Sequence, residues 1–236
     1  MHKSALDTGR VFFERYVPEA CTIAEVGSLD VNGSFRQFAP QGSRYIGLDF
    51  AKGQGVDVVL TDPYKLPLED ESVDVCVSSS CLEHSEFFWL TFLEMVRIVK
   101  PNGVLYFSAP SNSQFHRYPV DCWRFYPDSG RALQNWAQRN GHDVLLLESF
   151  TGPQDWELWN DFVAVFVKDK QFASSYPKRI IETYPHTNAL LAGSDELLNF
   201  REWPQDQRTP TKGIRRFANM VRRGLAWRVN NRRVFR

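Results

Sequence analysis

Two stretches hold residues whose types and spacing could do chemistry. The first is Glu25-Val26-Gly27-Ser28, with a second carboxylate further on at Asp49. An apolar run, Thr22–Val26, carries an acid near its end and a glycine directly after it, where a ligand can approach backbone that a side chain would otherwise shield. The second stretch runs Ser111-Asn112-Ser113-Gln114-Phe115-His116-Arg117-Tyr118-Pro119-Val120-Asp121-Cys122-Trp123-Arg124-Phe125-Tyr126-Pro127-Asp128. It mixes aromatic faces with imidazole, guanidinium and carboxylate groups. Ring faces that stack and polar groups that pair with hydroxyls are the chemistry of polyol or sugar recognition. The alternative reading is a packed aromatic corner closed by an Asp121–Arg124 ion pair.

The elements around these stretches alternate. Residues 3–16 read as a helix with Ala5, Leu6, Val11, Phe12, Phe13 and Tyr16 as its apolar set, ended by Pro18. Strands are expected at 22–26, 44–49, 56–60, 73–79 and 104–109. After the first, apolar residues recur helically at Phe35 and Phe38. A longer helix is expected over about 85–99, where Phe88, Phe92, Met95 and Val99 share a face, before Lys100-Pro101-Asn102-Gly103 breaks it. Alternating strands and helices imply a parallel sheet, and ligands then bind at the carboxyl ends of its strands. A helix at 128–140 and strands at 144–150 and 162–168 follow. The segment between those two strands holds Trp156 and Trp159 and is too short for a helical crossover, so an antiparallel closing pair is expected. One short helical candidate lies near Thr187–Phe200.

The ordered set over residues 20–110 resembles a class I S-adenosylmethionine-dependent methyltransferase. Glu25-Val26-Gly27-Ser28 is similar to the first motif, and Asp49 stands at the second acidic position. Thr61-Asp62, Leu66-Pro67-Leu68 and Ser72-Val73-Asp74 are similar to the run joining the third and fourth strands. Cys81-Leu82-Glu83-His84 and Glu94-Met95-Val96-Arg97-Ile98-Val99-Lys100-Pro101-Asn102-Gly103 resemble signatures of the ubiquinone/menaquinone branch. Through the N-terminal helix and on to about residue 168, the chain also resembles a methyltransferase type 11-like subgroup placed in bacterial surface-polysaccharide pathways, which shares the run from His116 to Pro127.

The resemblance implies an α/β Rossmann-like fold: a mostly parallel seven-stranded sheet with an antiparallel last strand and helices on both faces. It implies S-adenosylmethionine as co-substrate. Glu25 would lie near the methionine amino group, Asp49 would bind the ribose hydroxyls, and Asp62 would meet the adenine amino group. Gly27, Ser28 and Phe50 complete the cofactor set, with Ser78 and Ser79 along the methionine arm. A carboxylate suits two adjacent hydroxyl donors because it only accepts. An alcohol acceptor is a poor nucleophile at neutral pH, so a general base helps. His116 is the first candidate, with Asp121 orienting it or acting itself, and His84 the reserve. A structural or cofactor-edge role for His84 stays open, as does whether Glu83 caps a helix or faces the pocket. Arg117, Tyr118, Trp123 and Arg124 are the candidate acceptor-binding residues. No metal is expected, because no ligand cluster is clear in the sequence.

One departure motivates a second reading. Leu29 and Val31 stand where the family has later glycines, and Asn32-Gly33 is expected to supply the turn instead. A non-catalytic module binding S-adenosylmethionine or S-adenosylhomocysteine is therefore the alternative to a sugar or glycan O-methyltransferase. Small-molecule and nucleic-acid methyltransferases rank lower. Ser78-Ser79-Ser80-Cys81 stands where an N-methylating Asn/Asp-Pro-Pro-Tyr-type tetrapeptide would be.

Composition bounds the rest. With 43% hydrophobic and 14% aromatic residues in 236, a large core is available and global disorder is excluded. No apolar run approaches a membrane span, the N-terminus lacks a signal core, and the four cysteines have no paired metal-ligand spacing, so a cytoplasmic location is expected. The net charge of zero hides an asymmetry. Residues 212–236 carry Lys212 and eight arginines without an acid, or +9, while the rest has 19 basic and 28 acidic groups, or −9. Ile214, Phe217, Val221 and Leu225 fall on one helical face. The tail is expected either on an anionic membrane at the inner face or docked on an acidic partner, this chain's body or a second subunit of a homo-oligomer. The expected domains are 1–168, with 1–18 as a lid helix, a polar extension over 169–211, and the tail.

Overall fold

The computed structural model describes residues 2–154 and 159–202. Its sheet begins with β1 (Thr22–Val26), β2 (Arg44–Asp49), the two-residue β3 (Val58–Val59), β4 (Val73–Ser79) and β5 (Val99–Pro110). These five pair in parallel in the order β3-β2-β1-β4-β5. β7 (Asp161–Val167) then pairs antiparallel with β5, and β6 (Leu145–Thr151) antiparallel with β7. The expected closing pair is thus present. An eighth strand, β8 (Thr187–Leu191), lies antiparallel outside β6.

That eighth strand corrects the helical expectation near Thr187–Phe200. Leu190 and Leu191 satisfy a helical pattern and a strand pattern alike, and the pairing Ser149↔Leu190 decides between them. The segment leading to it is anchored by the buried Glu148. Its carboxylate accepts from Tyr16 Oη at 2.5 Å and from the amides of Ile180 at 2.7 Å and Ile181 at 3.2 Å. Contacts therefore carry one compact unit through Arg201. Of the chain beyond it, the expected tail helix lies outside the described residues, as does Trp156.

Side chains alternate across the sheet, as the strand period of two requires. On one face Leu105 and Phe107 meet α2 (Phe88–Ile98) and α3 (Pro127–Arg139) through Phe92, Met95, Val96 and Leu133. On the other, Val104 and Tyr106 meet α1 (Lys3–Tyr16) through Phe12, Phe13 and Tyr16. Gly9 lies within α1 because the Phe35 ring packs there. A Cβ at Gly9 would stand 2.2 Å from the Phe35 Cε1.

Two connections differ from expectation. Between β1 and β2 the chain makes only a short 3-10 turn, Phe35–Phe38, rather than a crossover helix. α2 starts at Phe88, after a separate 3-10 turn at Leu82–His84. It ends at Ile98, two residues before Lys100-Pro101-Asn102-Gly103. There the pairing jumps from Val73↔Val99 to Val75↔Val104, so the extra β5 residues bulge out while the strand continues. Among the described residues no helix is long and apolar enough to cross a membrane.

Candidate active site

The carboxyl ends of β1, β2 and β4 open into a cleft of about 330 Å³. Gly27 adopts φ +81° directly after β1. A Cβ there would sit 2.4 Å from Cys81 Cβ and 2.5 Å from its Sγ, so both conformation and space call for glycine. The turn that follows is closed by Asp30, whose carboxylate accepts from the Gly33 amide at 2.7 Å. Leu29 and Val31 line the cleft.

The acids at this end are held differently. Asp49 accepts backbone hydrogen bonds on both oxygens, from Leu29 at 3.1 Å and Ala51 at 2.9 Å. Its orientation is fixed while lone pairs remain for a ligand. Glu25 is buried and accepts from Tyr45 Oη at 2.8 Å and Ser34 Oγ at 3.4 Å. Burial pushes its carboxyl up to about 7 despite those donors. Ser28 and Ser79 line the cleft, and the Ser28 hydroxyl is buried without a hydrogen-bond partner among the described residues. Phe50 stands at the rim with 56% of its surface exposed. Ser78 is buried behind the lining. Asp62 is also outside it; this exposed carboxylate accepts from the Tyr64 amide within its own turn at 2.9 Å.

The other end is assembled from two loops. The turn Leu82–His84 follows β4, and residues 111–126 follow β5. Backbone bonds join them: the Glu83 carbonyl accepts from Cys122 at 2.8 Å and Trp123 at 3.2 Å. The His84 Nδ1 meets the Val120 carbonyl. Asp121, with its side chain 1% exposed, organises the loop from inside. It takes Arg124 Nη1 at 2.5 Å and Nη2 at 2.8 Å, together with the His116 amide at 2.7 Å. Arg124 holds the Asp121 carboxyl down to about 2. The same guanidinium donates to the carbonyls of Gln114 and Trp123. Trp123 donates through Nε1 to Ser85 O at 2.9 Å and packs on Phe88.

Of the residues chosen from sequence at this end, His84, His116, Arg117 and Tyr118 line the cleft. Asp121, Trp123 and Arg124 do not. Their hydrogen-bonding capacity goes into the loop, so the ion pair of the alternative reading and a cleft-facing loop exist together. Burial lowers the His116 imidazole below its ordinary value, leaving it neutral at pH 7. Its ring stands edge-on to those of His84 and Trp159, each at 4.9 Å.

Glu83 faces the cleft rather than capping a helix. Its side chain is wholly buried, and burial raises its carboxyl to about 8. Two further residues lie here that sequence reasoning did not select. His2 lines the cleft, and its ring stacks on Trp159 at 4.9 Å. Trp159 was visible only as part of an aromatic connection, and His2 carried no signal.

With that geometry in view, the comparisons are informative. Residues 8–107 match the family model described as a methyltransferase domain. The match ends before the loop that carries His116. An uncharacterized methyltransferase of Mycobacterium ulcerans is 31% identical over 135 residues, covering 48% of this chain and 51% of that protein. One of Mycobacterium avium is 30% identical over 130 residues with the same coverage. The chain thus spans about half the length of the curated relatives it matches. Among solved structures, the Burkholderia thailandensis 1,6-didemethyltoxoflavin-N1-methyltransferase with bound 1,6-didemethyltoxoflavin and S-adenosylhomocysteine is similar with a TM-score of 0.57 and 13% identity. It covers 71% of this chain and 79% of its own. The described unit has the class I methyltransferase fold.

Proposed function

We propose that the protein transfers a methyl group from S-adenosylmethionine to a hydroxyl of a sugar or glycan acceptor. The observation that carries this reading is the single cleft that joins Gly27, Glu25 and Asp49 at one end to Glu83, His84 and His116 at the other. The first end fits the co-substrate. It offers a backbone cradle that a Cβ would fill at Gly27, an unpartnered buried hydroxyl at Ser28, and two carboxylates suited to amine and hydroxyl donors. S-adenosylmethionine supplies an electrophilic methyl group on a sulfonium.

The chain's part is orientation and proton removal. Asp49 is fixed by its backbone bonds for ribose hydroxyls, and Glu25 stands for the amino group. The exposed faces of Phe115 and Tyr118, with Arg117 between them in sequence, suit a ligand of apolar ring faces and hydroxyls. The acceptor's proton leaves at the end held by Glu83, His84 and His116. Asp121 does not take it, because Arg124 keeps that carboxylate ionised and occupied. The place of Asp62 in adenine binding is not part of this reading, since it lies outside the cleft lining.

Calorimetry with S-adenosylhomocysteine and a mass-detected methyl-transfer assay across nucleotide sugars and lipid-linked glycans test the proposal. The expected result is binding, and the mass gain of one methyl replacing hydrogen on one acceptor class. Absence of S-adenosylhomocysteine binding would sink the whole reading. Binding with transfer only to non-carbohydrate acceptors would sink its acceptor half.

A further inference from the structure

We propose that Glu83, His84 and His116 form a binding site for a divalent first-row transition-metal ion at the acceptor end of the cleft. Each offers one ligand atom, a carboxylate oxygen or an imidazole nitrogen, and these atoms all lie within 4.8 Å of one another. Metal–ligand bonds of about 2.0–2.2 Å place neighbouring ligand atoms roughly 3–3.5 Å apart. Glu83 Oε1 and His84 Nε2 already stand at 3.6 Å, and an ion bound by all three groups would draw the rest of the set closer than the present 4.8 Å limit.

The surroundings of each group point the same way. Glu83 is wholly buried, and neither of its carboxylate oxygens has a hydrogen-bond partner among the described residues. A buried carboxyl group with no hydrogen-bond partner is costly, and a cation in the cleft would supply one. Arg124, the guanidinium on the adjoining loop, is already held two-handed by Asp121. His84 Nδ1 meets the Val120 carbonyl, which can only accept. The proton therefore sits on Nδ1, and Nε2 presents its lone pair toward Glu83. Behind His116, Nδ1 has the Asp121 carboxylate at 3.4 Å and Arg124 Nη2 at 3.5 Å; in the tautomer that donates to Asp121, the kind of partner that orients a ligating imidazole, Nε2 is left with its lone pair.

The ligands come from two distant segments, yet no ion is needed to bring them together. The bonds from Cys122 and Trp123 to the Glu83 carbonyl lock the loop bearing His116 onto the turn bearing the other two. All three groups line the cleft, so coordination positions not filled by protein would open toward the acceptor. Two nitrogens and one oxygen suit manganese, iron, cobalt or zinc better than calcium, which favours oxygen alone.

The role of the ion rests on the methyl-transfer reading. An acceptor hydroxyl brought against a divalent cation loses its proton more readily. That proton leaves to solvent, the oxygen lone pair forms the new C–O bond, and the S–C bonding pair stays on sulfur as S-adenosylhomocysteine.

The test uses the full chain, stripped with a chelator and titrated with Co²⁺, Mn²⁺ or Zn²⁺ by calorimetry, with the visible spectrum of the Co²⁺ form recorded and no substrate present. One ion per chain is expected. Glu83→Gln, nearly isosteric, and His116→Ala, on the half-exposed side of the loop, should each weaken binding by about tenfold or more. Asp49→Ala should bind the ion as wild type does. Circular dichroism checks that each variant is folded. No binding of any of the three ions by wild type, or binding unchanged in both Glu83→Gln and His116→Ala, would overturn the site. S-adenosylhomocysteine binding measured on the same samples separates the two readings. Ion binding without it supports the site and sinks methyl transfer, whereas full transfer by stripped protein sinks the ion's role in that transfer alone.

Discussion

At one end of the cleft Glu25, Gly27 and Asp49 stand at or just beyond the tips of neighbouring parallel strands; at the other Glu83, His84 and His116 are gathered from two loops. The strand tips inherit their spacing from the sheet. The register Val26↔Leu48 sets the distance between the first two tips without help from side chains. The loop end has no such frame. It is held by the Glu83 carbonyl, by Asp121 and by Arg124, groups that face inward and do not touch the cleft. The strand-tip end is thus spaced by backbone pairing, while the loop end is shaped by side chains that can change independently.

Four measurements break or sharpen that division. The largest effect is expected from Glu83→Gln and His116→Ala, which should each lower turnover by about 100-fold or more while S-adenosylhomocysteine affinity stays within about twofold. A parallel loss of affinity would mean that the two ends are not separable. Next, Asp49→Ala should weaken S-adenosylhomocysteine binding by about 10- to 100-fold, the loss of roughly 1.5–3 kcal/mol from hydrogen bonds to a charged group. Calorimetry reads this directly.

Arg124→Ala should act only through the loop. Asp121 would lose both of its guanidinium bonds, and the acceptor KM should rise by about tenfold with S-adenosylhomocysteine affinity unchanged. A wild-type KM would remove Arg124 from acceptor positioning. The smallest effect concerns pH. Because burial holds Glu25 near 7, S-adenosylhomocysteine affinity should rise as pH climbs through about 7 and the carboxylate forms. The Tyr45 hydroxyl stabilises that carboxylate, so Tyr45→Phe should move the rise to higher pH by a fraction of a unit. For the ligand-free protein the sign is opposite. A raised carboxyl makes the folded state hold its proton more tightly than the unfolded one, so this group contributes less stability as pH rises from about 4.5 toward 7. Glu25→Gln should therefore melt higher than wild type at pH 8 while binding S-adenosylhomocysteine more weakly.

The strand-tip end was largely legible in the sequence because its signals are local. Glu25-Val26-Gly27 and Asp49 each close an apolar run, and the order of runs implies which tips adjoin. Asp62 also follows the third strand in order, but it lies outside the cleft lining and its carboxylate accepts from Tyr64 within its own turn, a placement that strand order does not announce. In the loop, residue types announced sugar-like chemistry but not which groups face the cleft. Asp121, Trp123 and Arg124 look as functional as Arg117 and Tyr118 until their bonds are traced. Glu83 and His116 are separated by a helix and a strand, a spacing that no motif records. Similarly, Thr187–Leu191 reads as helix or strand until Glu148 and β6 supply long-range partners. Residue type was readable wherever the neighbours in sequence were also the neighbours in space.

The outermost strands have a bearing on how the chain behaves among other copies of itself. A sheet border with a long row of open amide and carbonyl groups invites strands of other molecules to add on. Here one border is β3, only two residues long and too short to template much. At the other, Ala189 in β8 exchanges backbone bonds with Leu198 at 3.0 and 2.8 Å, and Asn188 donates to Asn199 at 3.2 Å. The chain folds back over its own border and occupies donors and acceptors that another strand would seek. The segment beyond β7 therefore does more than widen the sheet: at Asn188 and Ala189 it leaves fewer open backbone groups for a strand of another molecule.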